Sequence, residues 1–158
     1  MEGRYGNRIV YGHNIYKINK DVFADLAGYE ELEFYKEHPV IQTISKSGTR
    51  SWLIVAYFIV DNADDDPFRY SDVTEFLSTK EFDAYFKEVE IRNWLSVPVE
   101  LSIEDTFITL SSCSRELAGS GTNRMVVIAK QLYADEEYEE IVDRTVMTED
   151  PLLPQRLR

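Results

Sequence analysis

Ser51 to Val60 carries no charge, and apart from Ser51 and Ala56 every side chain in it is large and apolar. A strand with one wet face alternates apolar and polar residues, and this run does not. It is also well short of the ~20 apolar residues that a helix needs to cross a bilayer. The run therefore predicts a strand buried on both faces.

The flanking segments predict its neighbours. Pro39 forces an extended entry into Val40-Ile-Gln-Thr-Ile44, which is rich in β-branched residues. Lys46-Ser-Gly-Thr49 reads as the turn between that strand and the apolar run. Thr106 to Cys113 alternates, Arg124 to Ala129 is a further apolar strand, and Arg8 to Tyr11 is a short one ending at Gly12-His13-Asn14. Five strands are thus expected, near residues 8–11, 40–45, 51–60, 106–112 and 124–133. Between them, Asp21 to Tyr29 predicts a short helix capped by Asp21, with Val22, Phe23 and Leu26 on one face. A turn of helix follows at Glu31 to Tyr35. Helix signals return at Ser71-Asp72. Ser78-Thr-Lys-Glu81 is a capping box, and Phe82, Tyr85, Phe86 and Val89 after it fall on one helical face. That helix is expected to extend through Trp94 and Leu95 until Pro98, and Asp135 to Val142 predicts an acidic helix. The class is mainly β with helices (α+β), in one domain over residues 1–158, with 150–158 as a flexible tail. No βαβ alternation and no Gly-rich phosphate loop is present, which disfavours a nucleotide fold.

Charge narrows the partners. Lys and Arg number 17 against 29 Asp and Glu, a net −12, and the first fifty residues are neutral while the remainder carries the whole excess. Such a chain lacks the basic stripe of a nucleic-acid binder and is repelled by anionic lipid. The acidic loop Asp61 to Pro67 lacks the spacing of an EF-hand and reads as solvated. A single Cys excludes an intramolecular disulfide and a Cys-based zinc site. The first residues show no apolar signal-peptide core, and no cofactor or metal is expected.

Three residues share a place at strand ends beside loops: His13, Cys113 and Arg124. A free thiol has a pKa near 8.5, so it needs a nearby base or cation to act as a nucleophile at neutral pH. Imidazole supplies the base. Guanidinium supplies permanent charge and a fork of donors for an oxyanion. Together the three form a set for acyl transfer. Each has a plainer reading: Cys113 as a small buried hydrophobe, His13 as a turn residue, and Arg124 as an ordinary strand start.

Longer stretches sharpen the choice. Asn7-Arg-Ile-Val-Tyr-Gly-His-Asn14, Val22-Phe-Ala-Asp-Leu-Ala-Gly-Tyr29 and Phe34-Tyr-Lys-Glu-His-Pro39 resemble the histidine region of class B sortases. Thr109-Leu-Ser-Ser-Cys113 and Arg124-Met-Val-Val-Ile-Ala-Lys130 look like that family's Cys and Arg strands, and the Ser71–Trp94 insertion stands where the family carries its long helix. The resemblance spans residues 7–133. It implies a β-barrel of eight strands and a cell-surface cysteine transpeptidase of Gram-positive bacteria. Cys113 would attack the Thr carbonyl of an Asn-Pro-x-Thr-like sorting motif in a surface protein. His13 would move the amine protons, and Arg124 would hold the carbonyl or oxyanion. Ser111 matches a family substrate contact, and Ser112 and Asn14 are carried as substrate-binding candidates beside the nucleophile and the histidine. The acceptor would be a peptidoglycan amine or a pilin lysine, and the location the outer face of the membrane or the cell wall.

Two departures stand out. Ser112 occupies a position that is usually Thr in the family, which keeps the hydroxyl. The histidine motif also comes at residue 13, where the family places about three strands first. Three explanations stay open: a shortened chain, a homo-oligomer that completes the barrel, or a degenerate sortase that binds without turning over. A papain-like hydrolase is a weaker alternative, because it needs its Cys on a helix.

Overall fold

A computed structural model of the chain describes residues 6–12, 23–65, 67–113 and 122–158. In chain order these form β1 (Asn7–Gly12), a 3-10 helix (Ala24–Glu30), α1 (Leu32–Glu37), β2 (Val40–Ser45), β3 (Gly48–Asp61), α2 (Thr79–Arg92), β4 (Leu95–Ser96), β5 (Phe107–Cys113), β6 (Asn123–Leu132), α3 (Glu139–Arg144), β7 (Val146–Met147) and a final 3-10 turn (Gln155–Leu157). The main sheet has five strands in the order β1-β5-β6-β3-β2, and β4 pairs with β7 in a separate two-stranded ribbon. The β1–β5 pair is parallel and the other three pairs are antiparallel, so the sheet is mixed. This is a mainly β architecture with helices, as the sequence predicts, and among the described residues the main sheet is open at β1 and β2.

The uncharged run forms β3, and every residue from Trp52 to Asp61 is buried. Both faces are covered. Over one face, Phe76, Phe82 and Phe86 meet the Phe107 ring of β5 at centroid distances of 4.9–6.4 Å. Over the other, Tyr29 packs against Tyr57 of β3, and the Tyr57 hydroxyl donates to Glu30 at 2.9 Å. Tyr35 of α1 is fully buried and donates to the Ile54 carbonyl.

Helix α2 begins at the predicted cap: the Ser78 hydroxyl accepts from the Glu81 amide at 3.2 Å, and the Glu81 carboxylate reaches back one residue past the cap to accept from the Leu77 amide at 3.0 Å. It stops at Arg92, short of the Trp94–Leu95 extension expected from sequence. The cause is an irregularity in β3, where the register against β6 slips between Ile54 and Ala56. The Asn93 side chain fills it, accepting from the Tyr57 amide and donating to the Val55 carbonyl, both at 3.0 Å. Leu95 then enters β4, one of two short strands that the sequence reading did not anticipate.

Other boundaries shift for local reasons. The expected Asp21–Tyr29 helix is a 3-10 helix over Ala24–Glu30, entered through Phe23 at φ 60°; its proposed cap, Asp21, lies outside the described residues. The acidic helix starts at Glu139 rather than near Asp135, because Glu136 is turned onto Lys130 and the Tyr133 amide. Ser71-Asp72 starts no helix. The segment from Phe68 to Leu77 is instead an irregular strap across the edge of the sheet, held by the Asn7 amide on the Thr74 carbonyl at 2.9 Å and by a bridge between Gly6 and Glu75. In the last residues, the Leu152 amide donates to Ile91 and the Gln155 amide to Asp64.

Candidate active site

Strand alternation decides what stands beside Cys113. On β5, Phe107, Thr109, Ser111 and Cys113 point to one face, the face covered by α2 and the strap. In the β5–β6 register Arg124 lies directly opposite Cys113, and Val126 opposite Ser111. Directly paired residues share a face, so the guanidinium and the thiol leave the sheet on the same side from neighbouring strand ends. Cys113 is a free, half-buried cysteine. Arg124 donates through Nη1 to the Asn123 carbonyl at 3.0 Å, and its charge also acts on Asp61 and Tyr70.

The opposite edge of β5 carries β1. Gly12 pairs with Ser112, and Tyr11, well exposed, pairs with Ser111. Chain ends of β1 and β5 therefore coincide: the residue before His13 lies against the residue before Cys113. His13 itself, and Asn14, lie outside the described residues.

The two serines part company. Ser111 shares the face of Cys113, is buried, and its Oγ stands 2.6 Å from the Tyr70 hydroxyl. Ser112 faces the other side of the sheet with Leu110, and its buried Oγ has no hydrogen-bond partner among the described residues. On the Cys113 face the remaining polar groups are also engaged. Thr109 Oγ1 donates to Asn7 Oδ1 at 2.7 Å, Asn7 Nδ2 donates to the Tyr85 hydroxyl at 3.3 Å, and that hydroxyl donates to the Tyr70 carbonyl at 3.1 Å.

Tyr70 and Asp61 are residues that sequence reasoning missed. Burial pushes the Tyr70 phenol pKa up, against a lowering by its bond to Ser111 and by Arg124, so it stays protonated. Asp61 ends β3, next along that strand to Val60, the Cα partner of Arg124. Its side chain is closed to solvent, with Arg156 Nε 3.8 Å from Oδ2. The only sequence signal for either was a large or charged residue in an otherwise polar loop, which is no signal at all. Among the described residues no group of three or more His, Cys, Asp or Glu is placed to hold a metal.

The described part of the site thus sets a thiol opposite a guanidinium across two strand ends, with engaged hydroxyls on the same face.

No protein-family profile matches the chain. Among curated proteins, sortase B of Listeria monocytogenes is 33% identical over 112 residues, covering 70% of this chain and 42% of that protein. Sortase B of Staphylococcus aureus is 25% identical over 124 residues, covering 78% of this chain and 48% of that protein. The crystal structure of S. aureus sortase B superimposes with a TM-score of 0.68 at 23% identity, over 85% of this chain and 60% of that one. The chain thus spans less than half the length of both curated relatives. Fold, strand order of the motifs and sequence agree over the part that is shared, and within it the chain belongs to the class B sortases.

Proposed function

We propose that this chain is a cysteine transpeptidase that cleaves a sorting motif of the Asn-Pro-x-Thr type after Thr and passes the acyl group to an amine. The observation that supports it most is the pairing of Cys113 with Arg124 across two strand ends on one sheet face. Cys113 Sγ, as thiolate, adds to the Thr carbonyl. The oxyanion that forms is held by Arg124. His13, as imidazolium, gives its proton to the departing amine as the C–N bond breaks, leaving a thioester. The same imidazole then takes a proton from the incoming amine, which displaces Cys113 and restores the thiolate. Solved sortase B structures include a S. aureus sortase B–substrate complex and a sortase B complexed with Gly3, which supports a peptide donor and a small amine acceptor here. A peptidoglycan amine or a pilin lysine fits that acceptor chemistry. The site of action is the outer face of the membrane or the cell wall. No described helix is long and apolar enough to cross a membrane. A homo-oligomer that pairs the two sheet edges would complete the barrel.

The test is direct. The protein is incubated with a quenched Asn-Pro-x-Thr peptide and triglycine, and Cys113 is examined by mass spectrometry. A thioester adduct on Cys113, absent in Cys113→Ala, is expected, and Arg124→Ala is expected to lower turnover on the order of 10²-fold. Peptide binding with no adduct on the folded wild-type chain would replace the transpeptidase reading with that of a binding module.

A further inference from the structure

Strand β1 stands at an edge of the main sheet, bonded to β5 alone, and the two run parallel. No hairpin turn sets the register of such a pair: Asn7 and Thr109 are 102 residues apart in the chain. Side chains must set it instead. Asn7, Ile9 and Tyr11 share the face covered by α2 and the strap, while Arg8 and Val10 take the other. A slip of β1 by one residue would turn Arg8 toward α2 and bury its charge without a partner. A slip by two returns the same face and, in one direction, sets Ile9 where Asn7 stands. Apolar patterning does not resist that second slip.

Asn7 does resist it. The residue is 4% exposed, and its side chain meets three elements at once. Oδ1 accepts from Thr109 Oγ1 of β5 at 2.7 Å, and Nδ2 donates to the Tyr85 hydroxyl of α2 at 3.3 Å and to the Val73 carbonyl of the strap at 3.4 Å. The Asn7 amide donates to the Thr74 carbonyl at 2.9 Å. Thr109 and Tyr85 are themselves 0% and 5% exposed, so an apolar side chain in this place would strand polar groups away from water. At the other end of β1, about 16 Å along the strand, the same register sets Gly12 against Ser112. It thereby fixes where the chain leaves the sheet toward His13, beside the end of β5 that carries Cys113.

We propose that Asn7 is a positioning residue of the Cys113 site: a buried polar pin that holds β1 in register on β5 and, through that register, sets the place of His13 relative to the thiol. The role of His13 as acid and base rests on the transpeptidase reading; the pin does not.

The experiment uses Asn7→Ala. Cross-strand NOEs between β1 and β5 read the register directly. In Asn7→Ala those joining Gly12 to Ser112 are expected to weaken, or to be joined by a second set displaced by two residues. In the quenched-peptide assay kcat should fall about tenfold or more with KM within about twofold, because Cys113 and Arg124 stay paired on their own strands while proton transfer to the leaving amine is lost. An aryl thioester of the same peptide, whose thiolate departs without a proton, should lose no more than about threefold in acylation of Cys113. A protein that is merely less stable would lose both substrates alike. Thr109→Val cuts the pin from β5 and should act in the same direction, and the double variant should be no worse than Asn7→Ala. Unaltered NOEs, an unaltered kcat, or equal losses with peptide and thioester overturn the proposal. Should Asn7→Ala not fold, Thr109→Val is read the same way. If the wild type forms no adduct with either substrate, the transpeptidase reading falls, and the NOEs alone decide whether Asn7 pins β1.

Discussion

Asp61 opens a run of carboxylates that in sequence looks like a solvated loop, yet its side chain is closed to solvent at the end of β3. Burial alone would push its pKa up. Hydrogen bonds from Thr122 and the Ala63 amide, together with the charges of Arg156 and Arg124, outweigh burial and hold the carboxyl below its ordinary value. A carboxyl whose folded pKa is depressed adds stability above its unfolded value of ~3.9 and loses it as pH falls through the folded one. Asp61→Asn keeps an acceptor for Ala63 but removes the charge. It is expected to cost about 1–3 kcal/mol at pH 7, with the gap to wild type narrowing as pH falls from about 5 toward and through the depressed folded pKa in urea unfolding. A gap that stays constant across that range would show that the charge is not what matters. Legibility at this scale follows the same division. The strand-end places of Cys113 and Arg124 were readable because each lies at the end of a strand that its own composition reveals. Tyr70 and Asp61 were not, because their roles come from burial by segments far away in sequence.

Elements were legible where local pattern and local chemistry coincide. The Ser78–Glu81 capping box and the Phe82–Val89 stripe identify the start and inner face of α2, and the structure honours both. Its end was not legible, because it is set from outside. Asn93 satisfies the Val55 carbonyl and the Tyr57 amide where β3 slips register, and it also accepts from the Leu95 amide. Nothing in residues 82–95 announces that irregularity. The two ends therefore differ in energetic weight. Ser78→Ala removes one exposed cap bond and is expected to cost about 1 kcal/mol. Asn93→Ala strands buried backbone groups and is expected to cost about 3 kcal/mol or more in the same denaturant titration. Equal costs would mean that water replaces Asn93 at the slip.

The strand order β1-β5-β6-β3-β2 was beyond the reach of any window along the chain, since the parallel pair joins Gly12 to Ser112 and β3 pairs with the distant β6, while only β2–β3 and β5–β6 pair strands that follow one another. Burial of β3 on both faces was readable; which strands flank it was not. The net charge of −12 acts on this whole assembly. The carboxylates are crowded into residues 51–158, and among the described residues those held in ion pairs with low exposure are Asp105 on Lys130 at 3.6 Å and Asp61 on Arg156 at 3.8 Å. Pairs such as Arg144–Glu140, with both partners well exposed, contribute little. Mutual repulsion among the remaining surface carboxylates then opposes compaction. Raising ionic strength from 0.01 to 0.15 M shortens the screening length from ~30 to ~8 Å, which weakens repulsion between distant surface charges more than it weakens contacts within a buried pair. The Tm at pH 7 is therefore expected to rise by a few degrees over that range of sodium chloride, equivalent to about 1 kcal/mol. A Tm that falls with salt would mean that attractive surface pairs outweigh the excess negative charge. Asp61→Asn should retain the salt-dependent rise, because Asp61 is screened from salt by its burial.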